Sequence, residues 1–354
     1  MSHFHSVRVR EVCKETPDCV SIAFDIPAAL KDSFTYAPGQ HVIMRKALDG
    51  EDIRRTYSFC SAPSGGDFRI AVRKVEGGAF STFANETLKA GDMLELSEPL
   101  GEFTLSIDPK RAKHHVGFAV GSGITPIIAM IREVLACEPQ SYFHLYYGNR
   151  DAEHTIFAED LAELKNCYMD RFSYQFFLTR QAVDIAFFNG RITGEKAAQL
   201  HASTFAHLDV AGYYLCGPMS MIADVRQNLR DAGEPADKIH SELFYADDGD
   251  ASARKSKPEA IAKSKIKVIS DGREIEVDYR DEHGSVLDAV LKAGIDVSFA
   301  CKGGVCATCR AKVIDGQVDM GLNYGLEPDE IADGFVLTCQ SVPTTKSVTI
   351  SFDE

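Results

Sequence analysis

The stretch Cys301-Lys302-Gly303-Gly304-Val305-Cys306-Ala307-Thr308-Cys309 constrains this chain more than any other. Its three thiols at C-x4-C-x2-C are answered thirty residues later by Cys339. Four thiolates in this pattern are what the two irons of a plant-type [2Fe–2S] cluster need. Gly303 and Gly304 suit a loop that bends tightly around an inorganic core, with backbone N–H groups turned toward the sulfurs. Two other readings stand beside this one. Structural zinc prefers paired C-x2-C knuckles, of which this stretch holds one. A disulfide needs an oxidising compartment, to which nothing in the chain points. A cluster of this kind passes one electron at a time at roughly −400 mV, so the other residues must supply the electron source.

With 354 residues the chain is expected to hold two to three domains. Its hydrophobic and charged fractions, 45% and 25%, provide for ordinary globular cores. A net charge of −14 would repel phosphates, so nucleic acid is excluded as a partner class. The N-terminal residues show no charged-then-apolar signal and no apolar run is long enough to span a bilayer, so no membrane partner is expected. With ten cysteines, this implies a reducing cytoplasm. The eleven histidines show no H-x3-H or H-E-x-x-H spacing, and are read as polar surface or satisfied core.

From residue 7 to about 105 the chain alternates short apolar-patterned runs with turn signals. Strands are expected at 6–12, 19–26, 41–45, 56–61, 68–75 and 93–97, in a small antiparallel barrel. Within it, Arg55-Thr56-Tyr57-Ser58 places Arg55 and Tyr57 on one face of a strand and Ser58 on the other. An arginine beside an aromatic and a hydroxyl suits a phosphate plus a flat ring, though the pattern is common on exposed strands. It gains force from Gly77-Gly78-Ala79-Phe80-Ser81-Thr82, a glycine pair entering a helix at 80–89 whose free N–H groups could hold a pyrophosphate. Pro99-Leu100-Gly101-Glu102-Phe103 closes the segment.

In this order, R-x-Y-S, G-G-x-x-S and P-x-G-x-F resemble the FAD domain of the ferredoxin–NADP reductase superfamily. The resemblance implies bound FAD, with Tyr57 along the isoalloxazine, Ser58 near its reactive N5 and Arg55 on the pyrophosphate. It also implies Gly77, Gly78, Ser81 and Thr82 at the phosphates, with Val72 and Lys74 beside them. Arg54 is read as a solvated neighbour.

A buried strand at 115–120 runs directly into Gly121-Ser122-Gly123-Ile124-Thr125-Pro126 and an apolar helix at 127–135. Strand, glycine turn and helix form the context a dinucleotide turn requires. Pro126 replaces the third glycine and is tolerated in a first helical turn. Strands at 141–147 and 173–178 end in Gly148-Asn149-Arg150 and Thr179-Arg180. Since arginine accommodates a 2′-phosphate where an acid would take a ribose 2′-OH, NADPH is expected over NADH, against the alternative of two surface arginines. Cys216-Gly217-Pro218-Met219 after an apolar strand resembles the nicotinamide-facing corner of the same superfamily, which implies Cys216 beside the hydride-donating carbon. Glu242 and Phe244 resemble the segment that covers the flavin. The implied catalytic set is Ser58, Cys216 and Glu242. The implied cofactor contacts extend to Gly121, Gly123, Thr125, Pro126, Gly217 and Pro218.

Residues 245–263 are small, charged and without apolar periodicity, and are read as a mobile linker. Beyond it a hairpin, a helix capped by Ser285, the cysteine loop and later strands resemble the β-grasp of plant-type ferredoxins, which implies Cys301, Cys306, Cys309 and Cys339 as iron ligands. From Lys263 onward ten Lys/Arg face sixteen Asp/Glu, a net of −6. The expected architecture is multidomain: an FAD-binding antiparallel β-barrel at 1–107, an α/β Rossmann-like NADP domain at 108–245, a linker at 246–263 and an α+β ferredoxin domain at 264–354.

This order implies a converter from hydride to single electrons, since a nicotinamide gives two together and the cluster accepts one. Across the whole chain, and through Phe4-His5-Ser6, Tyr147-Gly148-Asn149-Arg150, the cysteine loop and Asn323-Tyr324-Gly325-Leu326-Glu327-Pro328-Asp329-Glu330, the sequence is most similar to reductase components of bacterial phenylacetyl-CoA epoxidases. That resemblance implies a di-iron oxygenase as partner. A Rieske-type ring or steroid hydroxylase, or a redox-sensing module, are the alternatives.

Overall fold

The computed structural model describes residues 4–244 and 262–354. The first sheet contains β1 (Phe4–Thr16), β2 (Cys19–Asp25), β3 (His41–Leu48), β4 (Glu51–Ser58), β5 (Arg69–Arg73) and β6 (Met93–Ser97), with α1 (Ala79–Glu86) between β5 and β6. Its order is β4-β3-β6-β1-β2-β5. An antiparallel bridge between Phe59 and Ile70 joins the two ends and closes the barrel. Val7, Ile22, Val42, Phe59, Ile70 and Leu94 fill its interior, from strands whose alternate residues face inward. Two strands are longer than expected: β1 (expected 6–12) pairs along its length with β2 and β6, and β3 (expected 41–45) forms one hairpin with β4. Asp49 and Gly50, both at positive φ, turn it.

The second sheet is parallel, in the order β11-β10-β7-β8-β9. It comprises β7 (His114–Val120), β8 (Tyr142–Asn149), β9 (Phe172–Leu178), β10 (Val210–Gly217) and β11 (Ile239–Leu243). The crossover helices are α2 (Ile124–Cys137), α3 (Ala158–Cys167), α4 (Gly194–Leu200) and α5 (Met219–Asp231). Helix α2 starts three residues before the expected position, since the 3-10 turn Gly121–Gly123 runs straight into it.

Apart from residues 54–56, barrel and parallel sheet belong to one compact unit and share a core. Cys19, Cys60, Ala71, Phe103 and Leu105 pack in one cluster with Ile124, Ile127, Ile128 and Ile131 of α2. Polar contacts add to it: Arg132 donates to the Cys60 carbonyl at 2.6 Å, and Glu133 accepts from the Ser64 amide and hydroxyl at 3.1 and 2.8 Å. The connection between the two sheets is anchored on the fully buried Glu138, which accepts from the Asp108 amide, Arg111 and His115 at 2.9, 2.6 and 3.1 Å. Burial disfavours its charge, but bonds from His115 and the Asp108 amide outweigh that and hold the carboxyl down to about 2.

The C-terminal elements form the other unit. They are β12 (Lys263–Ser270), β13 (Arg273–Arg280), α6 (Val286–Lys292), β14 (Arg310–Asp315), β15 (Val318–Met320), α7 (Pro328–Ala332), β16 (Phe335–Leu337), β17 (Ser341–Pro343) and β18 (Ser347–Ser351). The mixed sheet runs β13-β12-β18-β14-β16, and β15 pairs with β17 in a small second sheet. The first and last strands, β12 and β18, lie side by side and parallel. Ser285 accepts from the Asp288 amide at 3.1 Å as the N-cap of α6. Among the described residues, the core here is built on Ile266, Val286, Leu287, Val290, Leu337 and Ile350 of this unit. Lys263, expected in the linker, already begins β12, while 245–261 lie outside the described residues.

Candidate functional site

The nicotinamide side is set by an approach of backbones. A Cβ placed on Gly123 would stand 2.3 Å from the Cys216 carbonyl oxygen and 2.6 Å from its carbon. The φ of Gly123 is −60°, open to any residue, so space and not conformation demands glycine. Gly121, at φ +56°, has its carbonyl taken by the Tyr147 hydroxyl at 2.9 Å. The glycine turn and the C-terminal end of β10 therefore meet at the sheet edge where such folds bind ligands. Thr125 is buried and spends its hydroxyl on the Ser122 carbonyl at 3.1 Å, and Pro126 is buried inside α2. Both shape the turn.

Cys216 is fully buried, and burial, followed by the nearby charge of Glu242, pushes its thiol well up. A thiol held neutral is a poor nucleophile, consistent with a packing role. Gly217 accepts from the Phe244 amide at 3.3 Å, and Pro218 is the N-cap of α5.

On the barrel side Ser58, buried at the end of β4, donates to Glu242 Oε2 at 3.2 Å. His41 joins them: its Nδ1 stands 3.5 Å from Glu242 Oε1, within ion-pair range but without hydrogen-bond alignment. Tyr57 packs against Phe80 with ring centroids 5.6 Å apart. Arg55 is exposed and donates to the Arg54 carbonyl at 2.8 Å; Arg54, expected to be solvated, is buried.

The helix expected at 80–89 is α1. Ser81 caps the turn before it, accepting from the Val75 amide at 3.1 Å and donating to the Gly78 carbonyl at 3.2 Å. A Cβ on Gly78 would meet the Ser81 hydroxyl at 2.5 Å. A cavity of about 320 Å³ opens against this end of α1, lined by Leu48, Asp49, Gly77, Gly78, Ala79, Thr82 and Phe83. Glycines, a hydroxyl and first-turn amides are suitable donors for a pyrophosphate. Lys74 is paired with Glu86. Val72 is a core residue, its carbonyl accepting from Asn85 at 3.0 Å.

In the other unit Lys302, Gly304 and Ala307 all take positive φ, wrapping the loop around its cysteines. The Gly303 and Cys306 amides donate to Cys301 Sγ at 3.3 and 3.4 Å. Gln340 Nε2 reaches Cys339 Sγ at 3.7 Å, and Thr338 donates to the Cys309 carbonyl at 2.8 Å. The thiols meet as two pairs. Cys306 stabilises the Cys301 thiolate, which despite burial is held down to about 5, and Cys309 likewise lowers Cys339. Among the described residues no three His, Cys, Asp or Glu side chains are arranged around one metal ion. Four thiols at this spacing, with backbone amides turned to the sulfur of Cys301, suit the two irons of a [2Fe–2S] cluster. The donor set thus fits a [2Fe–2S] cluster, and the barrel fits a flavin dinucleotide.

Comparisons with known proteins agree. Residues 6–105 match an oxidoreductase FAD-binding domain, 118–227 an oxidoreductase NAD-binding domain and 268–344 a 2Fe-2S iron-sulfur cluster binding domain. The chain is 40% identical to a component of the 1,2-phenylacetyl-CoA epoxidase of Escherichia coli, covering 100% of this chain and 99% of that protein. The chain belongs to the ferredoxin–NADP reductase superfamily, among the oxygenase reductases. The ferredoxin reductase component of a 3-ketosteroid-9-alpha-monooxygenase from Rhodococcus rhodochrous is 31% identical to this reductase over 97% of the chain and 95% of its own length. The solved structure of phthalate dioxygenase reductase shares the fold, with a TM-score of 0.61 at 24% identity, covering 99% of this chain and 98% of that one.

The reductase carries electrons from a nicotinamide nucleotide through FAD and a [2Fe–2S] cluster to a partner oxygenase. FAD supplies the conversion from a hydride to single electrons; the protein's own groups orient and shield. Two residues that bear on this site were missed in the sequence. His41 had one signal, its place at the start of β3 after the Pro38-Gly39 turn. Arg73 had none. It pairs with Asp18 at 3.0 Å, and a Cβ on Gly121 would stand 3.2 Å from its guanidinium, so a cation faces the glycine turn. No helix among the described residues is long and apolar enough to cross a membrane.

Proposed function

We propose that this reductase passes electrons from NADPH to a di-iron oxygenase component that epoxidises an aromatic CoA thioester, as a cytoplasmic protein. The full-length identity of 40% to the phenylacetyl-CoA epoxidase component, against 31% to the ketosteroid monooxygenase reductase, carries the choice of acceptor. The proposed iron ligands are Cys301 with Cys306 and Cys309 with Cys339. Gly77, Gly78, Ser81 and Thr82 would hold the FAD phosphates, and Arg55 would pair with them once turned from its own backbone. Tyr57 would lie along the ring system. Ser58 and Glu242 would hold a proton near the flavin, with Glu242 oriented by His41 and Ser58. Cys216, Gly217 and Phe244 would shape the nicotinamide pocket. The deciding experiment supplies the purified reductase and NADPH in turn to a di-iron phenylacetyl-CoA epoxidase and to a Rieske-type steroid hydroxylase. Product is expected from the first alone; turnover only with the second would overturn the acceptor.

The NADPH preference is supported by the ends of β8 and β9. The Arg180 amide donates to the Arg150 carbonyl at 2.7 Å, so the chain just beyond the two strands brings these two arginines together. Each charge-assisted bond to a 2′-phosphate contributes about 1.5–3 kcal/mol. Replacing both arginines by alanine is therefore expected to raise KM for NADPH by about tenfold or more and leave NADH nearly unchanged. Equal rises for both nucleotides in steady-state assays would remove the arginines from the phosphate site.

A further inference from the structure

The end of β8 presents two residues of opposite meaning side by side. Arg150 suits a 2′-phosphate, whereas an acid at this edge of a dinucleotide-binding sheet suits the bare 2′-OH of NADH and repels the phosphate. Asp151 is such an acid, and its side chain is only about a quarter exposed. The turn that follows engages it. Asp151 Oδ1 accepts both from the His154 amide at 3.0 Å and from His154 Nδ1 at 2.6 Å. Its carbonyl accepts from the Thr155 hydroxyl at 2.9 Å, and the Ala152 amide is held by Gln181 Oε1 at 3.0 Å, beside Arg180. The His154 bond, the largest influence on Asp151, holds its carboxyl below the usual carboxylate range.

We propose that His154 is a specificity-determining positioning residue: it holds the Asp151 carboxylate on the 151–155 turn, so that it does not turn toward the adenosine ribose and the 2′-phosphate that Arg150 and Arg180 would read. The proposal rests on the NADPH reading above. Without the imidazole, Asp151 keeps one amide bond and can swing toward the ribose. There it repels a phosphate dianion and accepts from a 2′-OH. A residue that merely capped the turn would, when lost, weaken both nucleotides alike.

The test measures equilibrium binding of 2′,5′-ADP and 5′-AMP to the full-length holoprotein by titration calorimetry, alongside kcat/KM for NADPH and NADH. The wild type is expected to prefer 2′,5′-ADP. In His154→Ala that preference falls by about tenfold, the scale of one charge contact in a partly solvated site. His154→Phe, which keeps the ring volume and removes the ring N–H, shifts it in the same direction. Asp151→Asn leaves the preference in place, and adding His154→Ala to Asp151→Asn changes it no further, because the repelling charge is gone. A wild-type preference that survives in both His154 variants, or that is lost equally with Asn at 151, overturns the role of His154 while the NADPH reading stands. A wild type that binds 5′-AMP as tightly as 2′,5′-ADP overturns both.

Discussion

Ending the chain at residue 246 is expected to leave a yellow protein that oxidises NADPH and reduces ferricyanide at near the full-length rate, while cytochrome c reduction falls by at least about tenfold. Two structural facts carry this. Among the described residues, the cores of the barrel and parallel sheet use residues before 245, and the core of the C-terminal unit uses residues after 262. Each piece therefore keeps its own buried apolar surface when the chain is cut. The truncated piece also keeps Ser58, Glu242, Gly121, Gly123 and Cys216, and the Ser58–Glu242 bond is internal to it. What it loses is the set Cys301, Cys306, Cys309 and Cys339. Ferricyanide takes electrons from flavin directly, whereas cytochrome c and an oxygenase are expected to receive them through the cluster. Mixing the separate 262–354 piece back should restore cytochrome c reduction only slowly, since a tethered donor works at an effective concentration of order millimolar. The measured quantity is the ratio of ferricyanide to cytochrome c activity in the cut and full-length proteins. An unchanged ratio would take the cluster off the electron path and favour a sensing role.

Much of this organisation was legible in the sequence because the strongest signals are local. The C-x4-C-x2-C loop, the strand–glycine–helix at 115–135 and the hairpin expected after the linker, which is β12 and β13 turned at Asp271-Gly272, each lie within a short window and formed. What was lost depends on contacts between distant residues or on masked periodicity. The Asp49-Gly50 turn carried the same chemistry as Asp271-Gly272 and was still missed, because residues 46–48 and 51–55 on either side of it are largely charged and do not read as strand. Helix α3 buries Leu161 alone along its length, and its acidic face hides the 3.6 period. Arg73 and His41 gain meaning only where the parallel sheet and the barrel come together. Gly325 is a similar case. A Cβ there would stand 2.5 Å from the Val305 carbonyl, and the Tyr324 amide donates to the Gly304 carbonyl at 2.9 Å. The Asn323-Tyr324-Gly325-Leu326 string thus braces the cysteine loop, a purpose no local pattern reveals.

Gly123→Ala should abolish most nicotinamide-driven flavin reduction, by about a hundredfold or more, in a protein that still binds flavin and assembles its cluster. The added methyl would be placed 2.3 Å from the Cys216 oxygen and 3.0 Å from the Gly217 nitrogen, far inside any real contact. Both are backbone atoms of a buried central strand, paired on one side with β7 and on the other with β11, so β10 has no soft direction in which to yield. The turn must move instead, and Ile124, Ile127 and Ile128 of α2, all fully buried, resist its shift. Overpacking of this kind costs about 1–3 kcal/mol in stability, which a shared core of this size can absorb. A displacement on the order of 1 Å between the glycine turn and the Cys216 corner is enough to cost about a hundredfold in hydride transfer, because the nicotinamide must lie within a few tenths of an ångström of its productive pose. The barrel residues Tyr57, Ser58 and Ser81 are not in that path, so flavin content should stay near that of the unaltered protein. Stopped-flow reduction by NADPH, compared with photochemical or dithionite reduction of the same sample, separates the two effects. Slow reduction by NADPH with normal chemical reduction is the expected result. Near-normal NADPH reduction would mean that the close approach of Gly123 to Cys216 is not what positions the nucleotide.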